Sequence, residues 1–213
     1  MRSEFGAFAF DFDGVLVESV DIKTEAFATL YRPYGETVTR EVIAYHLKHG
    51  GISRTEKFRY FHRALLDLDL DHKQLAMLEA RFSRSVEEAV IAAPWTLGAR
   101  ELLESGLLTM PLFVVSGTPE SELKRIIRRR NMEQYFSAVF GSPATKDAIL
   151  SSIAESLELS PKRLLMVGDS TTDLAGAVTA GTAFIGFVSE GLQNQFPSEV
   201  EVISDLRDLI ERV

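Results

Sequence analysis

Apolar residues recur with two different spacings in two parts of this chain. Between about residues 20 and 91, apolar side chains recur every three or four positions, a spacing that predicts helices. We expect four helices: one that contains Ile22–Leu30 and ends near Pro33–Gly35, and three more over about 39–48, 54–66 and 72–90. This stretch is therefore expected to be all-helical.

Outside it, apolar runs typical of strands alternate with helical patterns. A first strand begins at Phe8, and later strands are predicted at 112–115, 138–140, 164–167 and 184–188. Helices are predicted at 99–104, 120–130, 147–157 and 173–180, and a short strand and helix follow Val200. This alternation predicts a parallel sheet covered by helices on both faces. Right-handed crossovers place the first strand centrally, with its carboxyl end in the crevice where such sheets bind ligands.

The expected fold class is therefore α/β with an inserted helical domain. We assign residues 1–18 and 93–213 to the sheet domain and residues 19–92 to the insert. A chain of 213 residues, 46% of them hydrophobic, is long enough for such a core and insert.

Composition and charge narrow the partners. A net charge of −8 and a pI near 5.1 argue against nucleic acid or an anionic membrane and favour a small molecule. The absence of cysteine excludes disulfides and thiolate chemistry and suits a cytoplasmic location. We expect no signal peptide and no membrane span, and both a monomer and a dimer stay open.

The first strand ends in two acids, Asp11 and Asp13, followed by Gly14. Residues two apart on a strand point to the same side, so these carboxylates would repel each other unless a cation or a proton relieves them. The pair indicates a metal and acid/base site. The alternative is an ordinary Asp-Gly turn.

Polar residues also follow two other predicted strands. Ser116 and Gly117 would offer a hydroxyl and backbone N–H groups to phosphate oxygens. Thr118 is expected to be an N-cap with Pro119 at the first helical position whether or not Ser116 binds a ligand, and the alternative is that this is the only role of the segment. Lys146 opens a helix, where its charge opposes the helix dipole. It could neutralise charge in a transfer step, or it could be an ordinary solvated lysine.

The predicted strand at 164–167 is followed by a further acid, Asp169. It supplies the third carboxylate that a hard divalent cation such as Mg2+ requires. Asp173 is a possible supporting residue, since the segment from Ser170 to Asp173 also fits a capping box.

Taken in order, these four motifs resemble those of the haloacid dehalogenase (HAD) superfamily, in its phosphatase branch with a helical cap. They are Asp11–Ser19, the segment ending in Ser116–Thr118, Lys146 and Gly168–Asp173. The resemblance covers almost the whole chain. It implies a Rossmann-like core and a mobile helical cap hinged near Pro94–Gly98, as in phosphoglycolate phosphatase-like and β-phosphoglucomutase-like members.

The resemblance also implies roles for the site residues. Asp11 would be the nucleophile that becomes an aspartyl phosphate, and Asp13 would protonate the leaving oxygen and then activate water. Mg2+ would lie between the Asp11 carboxylate, the backbone carbonyl of Asp13 and Asp169. Ser116 and Gly117 would hold phosphoryl oxygens, and Lys146 would balance charge. The dehalogenases of the superfamily lack an acid at the position of Asp13, which argues against dehalogenation.

The loop Gly50–Arg54 resembles the specificity loop of capped members. Gly51 would make the loop flexible, and Arg54 with Lys23 would contact an anionic leaving group. Alternatively, Ser53 and Glu56 form a capping box and the two cations are only solvated. We assign no role to the nearby His46 and His49. The basic run from Lys124 to Arg130 is interpreted as a solvated helix end.

The function expected from the resemblance is Mg2+-dependent hydrolysis of a small phosphorylated metabolite, such as a sugar phosphate or a phosphoglycolate-like ester. A phosphomutase that binds a second phosphate through Arg54 is the first alternative. A phosphonate hydrolase with a Schiff base on Lys23 or Lys48, or a catalytically silent binding protein, are the others.

Overall fold

The sheet has the predicted α/β architecture. The computed structural model describes residues 4–212, so the predicted ends of the core at residues 1–3 and 213 lie outside the described residues. The strands are β1 (Ala7–Phe10), β2 (Leu112–Pro119), β3 (Ala138–Ser142), β4 (Leu164–Gly168), β5 (Ala183–Phe187) and β6 (Val202–Ile203). All pairs are parallel in the order β3-β2-β1-β4-β5-β6, so β1 is an inner strand, as predicted, and its neighbours are β2 and β4.

Eight α-helices complete the described elements. They are α1 (Val20–Tyr31), α2 (Glu36–Lys48), α3 (Arg54–Tyr60), α4 (His72–Ala92), α5 (Ala99–Glu104), α6 (Glu120–Arg129), α7 (Lys146–Ser156) and α8 (Thr171–Ala180). Short 3-10 turns occupy Arg32–Tyr34, Glu133–Tyr135, Pro161–Arg163 and Leu206–Arg212, and a π turn at Phe61–Leu65 extends α3. Helix α2 therefore begins earlier than predicted, and the predicted C-terminal helix is a 3-10 helix.

Alternation along β1 creates two hydrophobic layers. Phe8 and Phe10 face the cluster that includes Leu123 of α6, whereas Ala7 and Ala9 face the cluster built on α7 and α8. Each fully buried large apolar side chain contributes roughly 1.5–3 kcal/mol. Both faces of the sheet are covered, which confirms the predicted fold class.

The helical insert, which we call the cap, consists of α1–α4 between β1 and α5. Its interior is aromatic: the ring of Phe27 packs against those of Phe58, Phe61 and Phe82 at centroid distances of 4.3–5.6 Å. The two chain crossings between cap and core are joined, because Glu18 donates its backbone N–H to Pro94 over 3.0 Å. The domain boundaries at 18/19 and 92/93 stay predictions. Within residues 4–212, no helix combines the length and apolar character needed to cross a bilayer.

Candidate active site

Asp11 lies at the carboxyl end of β1, where the parallel sheet opens into a cavity. Its side chain is 2% exposed, and its Oδ1 accepts no hydrogen bond from the described residues. The Lys146 ammonium lies 3.2 Å from that oxygen. Burial, reinforced by the Asp173 and Asp13 carboxylates, raises the pKa of Asp11 to about 7 in spite of the lysine. Asp11 is therefore a buried carboxyl group whose charged form lacks sufficient compensation.

Two further acids join Asp11 in a carboxylate cluster. One oxygen each from Asp11, Asp169 and Asp173 lies within 4.8 Å of the others. Burial and the charges of Asp11 and Asp173 raise the pKa of Asp169 well above its ordinary value. Such a group of oxygen donors is suited to a hard divalent cation.

The carboxylate cluster includes Asp173, which the sequence predicts as a supporting residue. The Asp13 carboxylate is not part of the cluster, and the resemblance implies only the backbone carbonyl of Asp13 as a metal ligand. The capping box is also present: Ser170 donates its N–H and hydroxyl to Asp173 Oδ2 over 3.0 and 2.6 Å. Asp173 thus belongs to the capping box of α8 and contributes charge to the cluster at the same time.

Lys146 is the first residue of α7 and is 7% exposed, so it is not a solvated surface lysine. Its ammonium contacts both Asp11 and Asp173. Burial opposes its charge, but the two carboxylates outweigh that effect and raise the pKa of Lys146. These acids explain how a lysine is tolerated at a helix N-terminus.

Asp13 is held by three donors on the other side of Asp11. Ser19 donates to its Oδ1 over 2.6 Å, and Lys23 and Thr118 donate to its Oδ2 over 2.5 and 3.1 Å. Burial opposes ionisation, but the Lys23 ammonium and these hydrogen bonds lower the pKa of Asp13. The prediction that Thr118 is an N-cap is wrong: β2 runs on to Pro119, which precedes α6 without a side-chain cap.

The predicted phosphate cradle lies directly beneath the cap loop. Ser116 is buried, and its hydroxyl accepts the N–H of Thr118 over 3.2 Å. A Cβ on Gly117 would lie 2.2 Å from the carbonyl oxygen of Gly51. Gly51 has φ +79°, and a Cβ there would lie 3.1 Å from the Lys146 ammonium. Because Gly51 and Gly117 lack side chains, the cap loop, residues 50–54, can lie directly against the cradle.

Arg54, predicted either to contact substrate or to be solvated, is 5% exposed and paired with a core residue. Its guanidinium donates to both carboxylate oxygens of Glu122, over 2.5 and 3.0 Å, and to Ser83 over 2.8 Å. The solvated alternative is therefore wrong. Ser53 caps α3 by accepting the N–H of Glu56 over 3.3 Å, which is one half of the predicted capping box.

The basic run on α6 is not merely solvated, because α4 packs beside it. Arg125 pairs with Glu87 over 2.9 Å, and Arg129 pairs with Glu88. Arg130 lies over the Trp95 ring and donates to three carbonyl oxygens at the end of α4, those of Val90, Ile91 and Ala93. The run connects core to cap, a role that depends on a contact remote in sequence.

A cavity of about 1030 Å³ separates cap from core, and sequence reasoning missed several of its residues. Residues 187–190 and 192–195 belong to its lining. On the cap side lie Lys57 and His46, both buried, with Lys57 Nζ 2.8 Å from His46 Nδ1. Lys57 follows Arg54 by one helical turn, and that spacing was the available signal. Lys48, a Schiff-base candidate, is exposed, whereas the other, Lys23, is bound to Asp13.

Comparison with known proteins defines the class of this fold and site. Residues 8–187 match the family of haloacid dehalogenase-like hydrolases. The chain belongs to that family, which confirms the family predicted from the four motifs.

Its curated relatives are distant and act on phosphate esters. It is 25% identical over 180 residues to a phosphorylated carbohydrates phosphatase of Thermotoga maritima, covering 82% of this chain and 81% of that protein. It is 27% identical over 198 residues to a phosphoglycolate phosphatase of Pasteurella multocida, covering 86% of each. The crystal structure of a predicted phosphoglycolate phosphatase from Haemophilus somnus superposes with a TM-score of 0.77 at 20% identity, covering 99% of each chain. That last likeness concerns the fold.

Proposed function

We propose that this protein is a Mg2+-dependent phosphatase that hydrolyses small phosphorylated metabolites through an aspartyl phosphate on Asp11. The observation that carries the proposal is the buried Asp11 carboxylate, with one oxygen free of hydrogen bonds and a lysine and two acids around it. Names of the distant relatives, which include phosphatases of carbohydrate phosphates and of phosphoglycolate, agree with this reaction.

The donor set fits the metal that the family implies. Asp11, Asp169 and Asp173 offer hard oxygen atoms within 4.8 Å of one another, and the raised pKa values of Asp11 and Asp169 indicate uncompensated negative charge. These residues, with the backbone carbonyl of Asp13, would hold Mg2+. When bound, the ion would offset the repulsion between the nucleophile and the phosphoryl oxygens.

Each residue of the site then has its own role in the reaction. An Asp11 oxygen forms a bond to phosphorus as the ester P–O bond breaks, and Asp13 gives its proton to the leaving oxygen. Ser116 and the N–H of Gly117 hold phosphoryl oxygens, and Lys146 supplies a fixed positive charge beside Asp11. In the second step water attacks phosphorus, Asp13 takes its proton, and the acyl phosphate bond breaks to restore Asp11.

Asp13 is ionised in this arrangement, which is the form required of the base. The acid step needs a proton on the same group. Asp13 is expected to take up this proton when the phosphoryl dianion of the substrate binds, because negative charge beside a carboxylate favours its protonated form. Lys23, which bridges Asp13 and Thr118 at 2.5 and 2.7 Å, is placed to adjust this balance.

The Arg54–Glu122 pair argues against the phosphomutase in the form expected from the sequence. That form uses Arg54 to bind a second phosphate, whereas both oxygens of Glu122 already engage Arg54. Its charge is therefore neutralised within the protein.

A phosphate-release assay tests the proposal. Wild-type protein with Mg2+ is expected to release inorganic phosphate from members of a panel of sugar phosphates and small phosphate monoesters. EDTA or Asp11→Asn is expected to abolish release, whereas Asp69→Asn, an exposed acid in the cap, leaves it unchanged. Absence of release across the panel, or turnover by Asp11→Asn, would refute the proposal.

A further inference from the structure

Lys57 is a buried cation without a carboxylate partner among the described residues, unlike Arg54 and Lys146. Arg54 is paired with Glu122, and Lys146 with Asp11 and Asp173. Lys57 is 3% exposed, yet within residues 4–212 no carboxylate lies within 4.0 Å of its ammonium. A buried ammonium without an anion costs free energy. An anionic ligand would therefore stabilise the charged form of Lys57.

Its neighbour His46 also has an unused polar atom. Lys57 Nζ lies 2.8 Å from His46 Nδ1, while His46 Nε2 is buried without a hydrogen-bond partner. Burial, and then the Lys57 charge, lowers the pKa of His46 to about 3, so the ring is neutral. With Nδ1 accepting from Lys57, the ring proton is on Nε2. The pair therefore presents only donors: the remaining ammonium hydrogens and Nε2–H.

The pair lines the cavity into which the leaving group of a substrate would extend. Lys57 and His46 line the same cavity as Asp13, the proposed proton donor to the leaving oxygen. The Asp13 charge raises the pKa of both groups, against the larger lowering effect of burial. The Phe27 ring supports the pair, 4.9 Å from the His46 ring centroid and 5.9 Å from Lys57 Nζ.

The local charge balance indicates which anion fits. Lys23 is compensated by Asp13, and Arg54 by Glu122, so of these three cap cations Lys57 is the one without a paired carboxylate. A carboxylate matches one charge and accepts from several donors. A second phosphate dianion would bring a surplus negative charge into a buried site.

We propose that Lys57 and His46 form a subsite for a carboxylate on the leaving group, so that the preferred substrates are phosphate monoesters of hydroxy acids. This inference rests on the proposed phosphatase function. Burial, with the Lys23 charge nearby, lowers the pKa of Lys57 to about 7, and an adjoining carboxylate would raise it again.

Matched substrates test the subsite. The comparison is between 2-phosphoglycolate and 2-hydroxyethyl phosphate, which differ in a carboxylate against a hydroxymethyl group. Wild-type kcat/KM is expected to favour 2-phosphoglycolate by at least about tenfold. Lys57→Met should remove that preference mainly by raising KM, and should leave 2-hydroxyethyl phosphate within about twofold. Lys48→Met, an exposed lysine at the end of α2, should leave both unchanged.

A second variant and a binding measurement keep the test independent of folding and turnover. His46→Phe removes Nε2–H and should weaken 2-phosphoglycolate selectively, with folding checked by circular dichroism. By calorimetry with Mg2+, Asp11→Asn protein should bind 2-phosphoglycolate at least about tenfold more tightly than Asp11→Asn/Lys57→Met protein.

Several results would overturn the subsite. They are equal losses on both substrates, equal binding by the two calorimetry variants, or a preference for glucose 1,6-bisphosphate over 2-phosphoglycolate that Lys57→Met removes. Turnover of p-nitrophenyl phosphate that depends on Asp11 would then show that the phosphatase proposal survives. If wild-type protein does not turn over p-nitrophenyl phosphate, the phosphatase proposal is refuted. The calorimetry then still tests whether Lys57 binds the carboxylate.

Discussion

Arg54 of the cap and Glu122 of the core form a two-point ion pair, with N–O distances of 2.5 and 3.0 Å and at most 5% of either side chain exposed. The two residues are 68 positions apart in sequence. Because α3 carries one partner and α6 the other, the pair fixes the position of the cap loop over the catalytic cradle. Ser83 of α4 donates to the same carboxylate over 2.6 Å and adds a third point of contact.

Glu122→Gln should be strongly destabilising. It leaves the Arg54 charge buried without its counter-ion, a change that costs about 3–5 kcal/mol of unfolding free energy. The double variant Arg54→Met/Glu122→Met should recover most of that loss, since an apolar pair needs no compensation. Urea denaturation measures both. The control is Glu120→Gln on the same helix, whose partly exposed pair with Lys124 contributes about 0–1 kcal/mol. Equal losses for Glu120→Gln and Glu122→Gln would contradict this role.

Gly14→Ala should impair the metal site. Gly14 has φ +81°, and a Cβ there would lie 2.2 Å from Asp169 Oδ2, so the acid would have to move. We expect activity at limiting Mg2+ to fall by at least about tenfold, with a higher Mg2+ requirement. Gly35→Ala is the matched control: its φ is +99°, but a Cβ there meets nothing within 4 Å. It should cost about 1 kcal/mol of stability and leave the Mg2+ titration unchanged. Similar titrations for the two variants would speak against the placement of Asp169.

Metal-free protein should lose stability as pH rises through the range of the Asp11 pKa. That pKa is about 7 in the folded protein and 3.8 ordinarily, so between these values the folded state binds more protons than the unfolded state. The contribution of protonated Asp11 to the free energy of unfolding is therefore fully present below pH 3.8 and is lost as the pH rises towards about 7. Asp11→Asn removes this titration.

Denaturation in EDTA checks that sign. The stability of Asp11→Asn relative to wild type should increase between about pH 4 and about pH 8, and excess Mg2+ should selectively stabilise wild type at the higher pH. Asp69→Asn is the exposed control. A stability difference independent of pH would contradict the burial of an uncompensated Asp11.

Much of the site followed from strand periodicity. Asp11, Ser116 and Asp169 each come after an apolar run, and parallel strands meet with their carboxyl ends at one edge, so their proximity could be predicted. Right-handed crossovers also predicted that the first strand is central, and β1 is an inner strand of the sheet.

What the sequence could not supply were contacts between remote segments. Arg54 was read as a free cation because its partner Glu122 lies on a helix whose packing no local pattern reveals. Thr118 has a good local capping signal, but its hydroxyl donates to Asp13 and the strand continues past it. Lys57 was assigned no role, since its burial depends on contacts with Phe27 of α1 and His46 of α2.

Trapping the aspartyl phosphate tests the central claim most directly. Wild-type protein mixed with Mg2+ and a substrate that it hydrolyses, quenched in acid and reduced with borohydride, should yield a peptide in which the side chain of Asp11 is reduced to an alcohol. Modification of Asp13 instead of Asp11, or release of phosphate without modification of Asp11, would contradict covalent catalysis by Asp11.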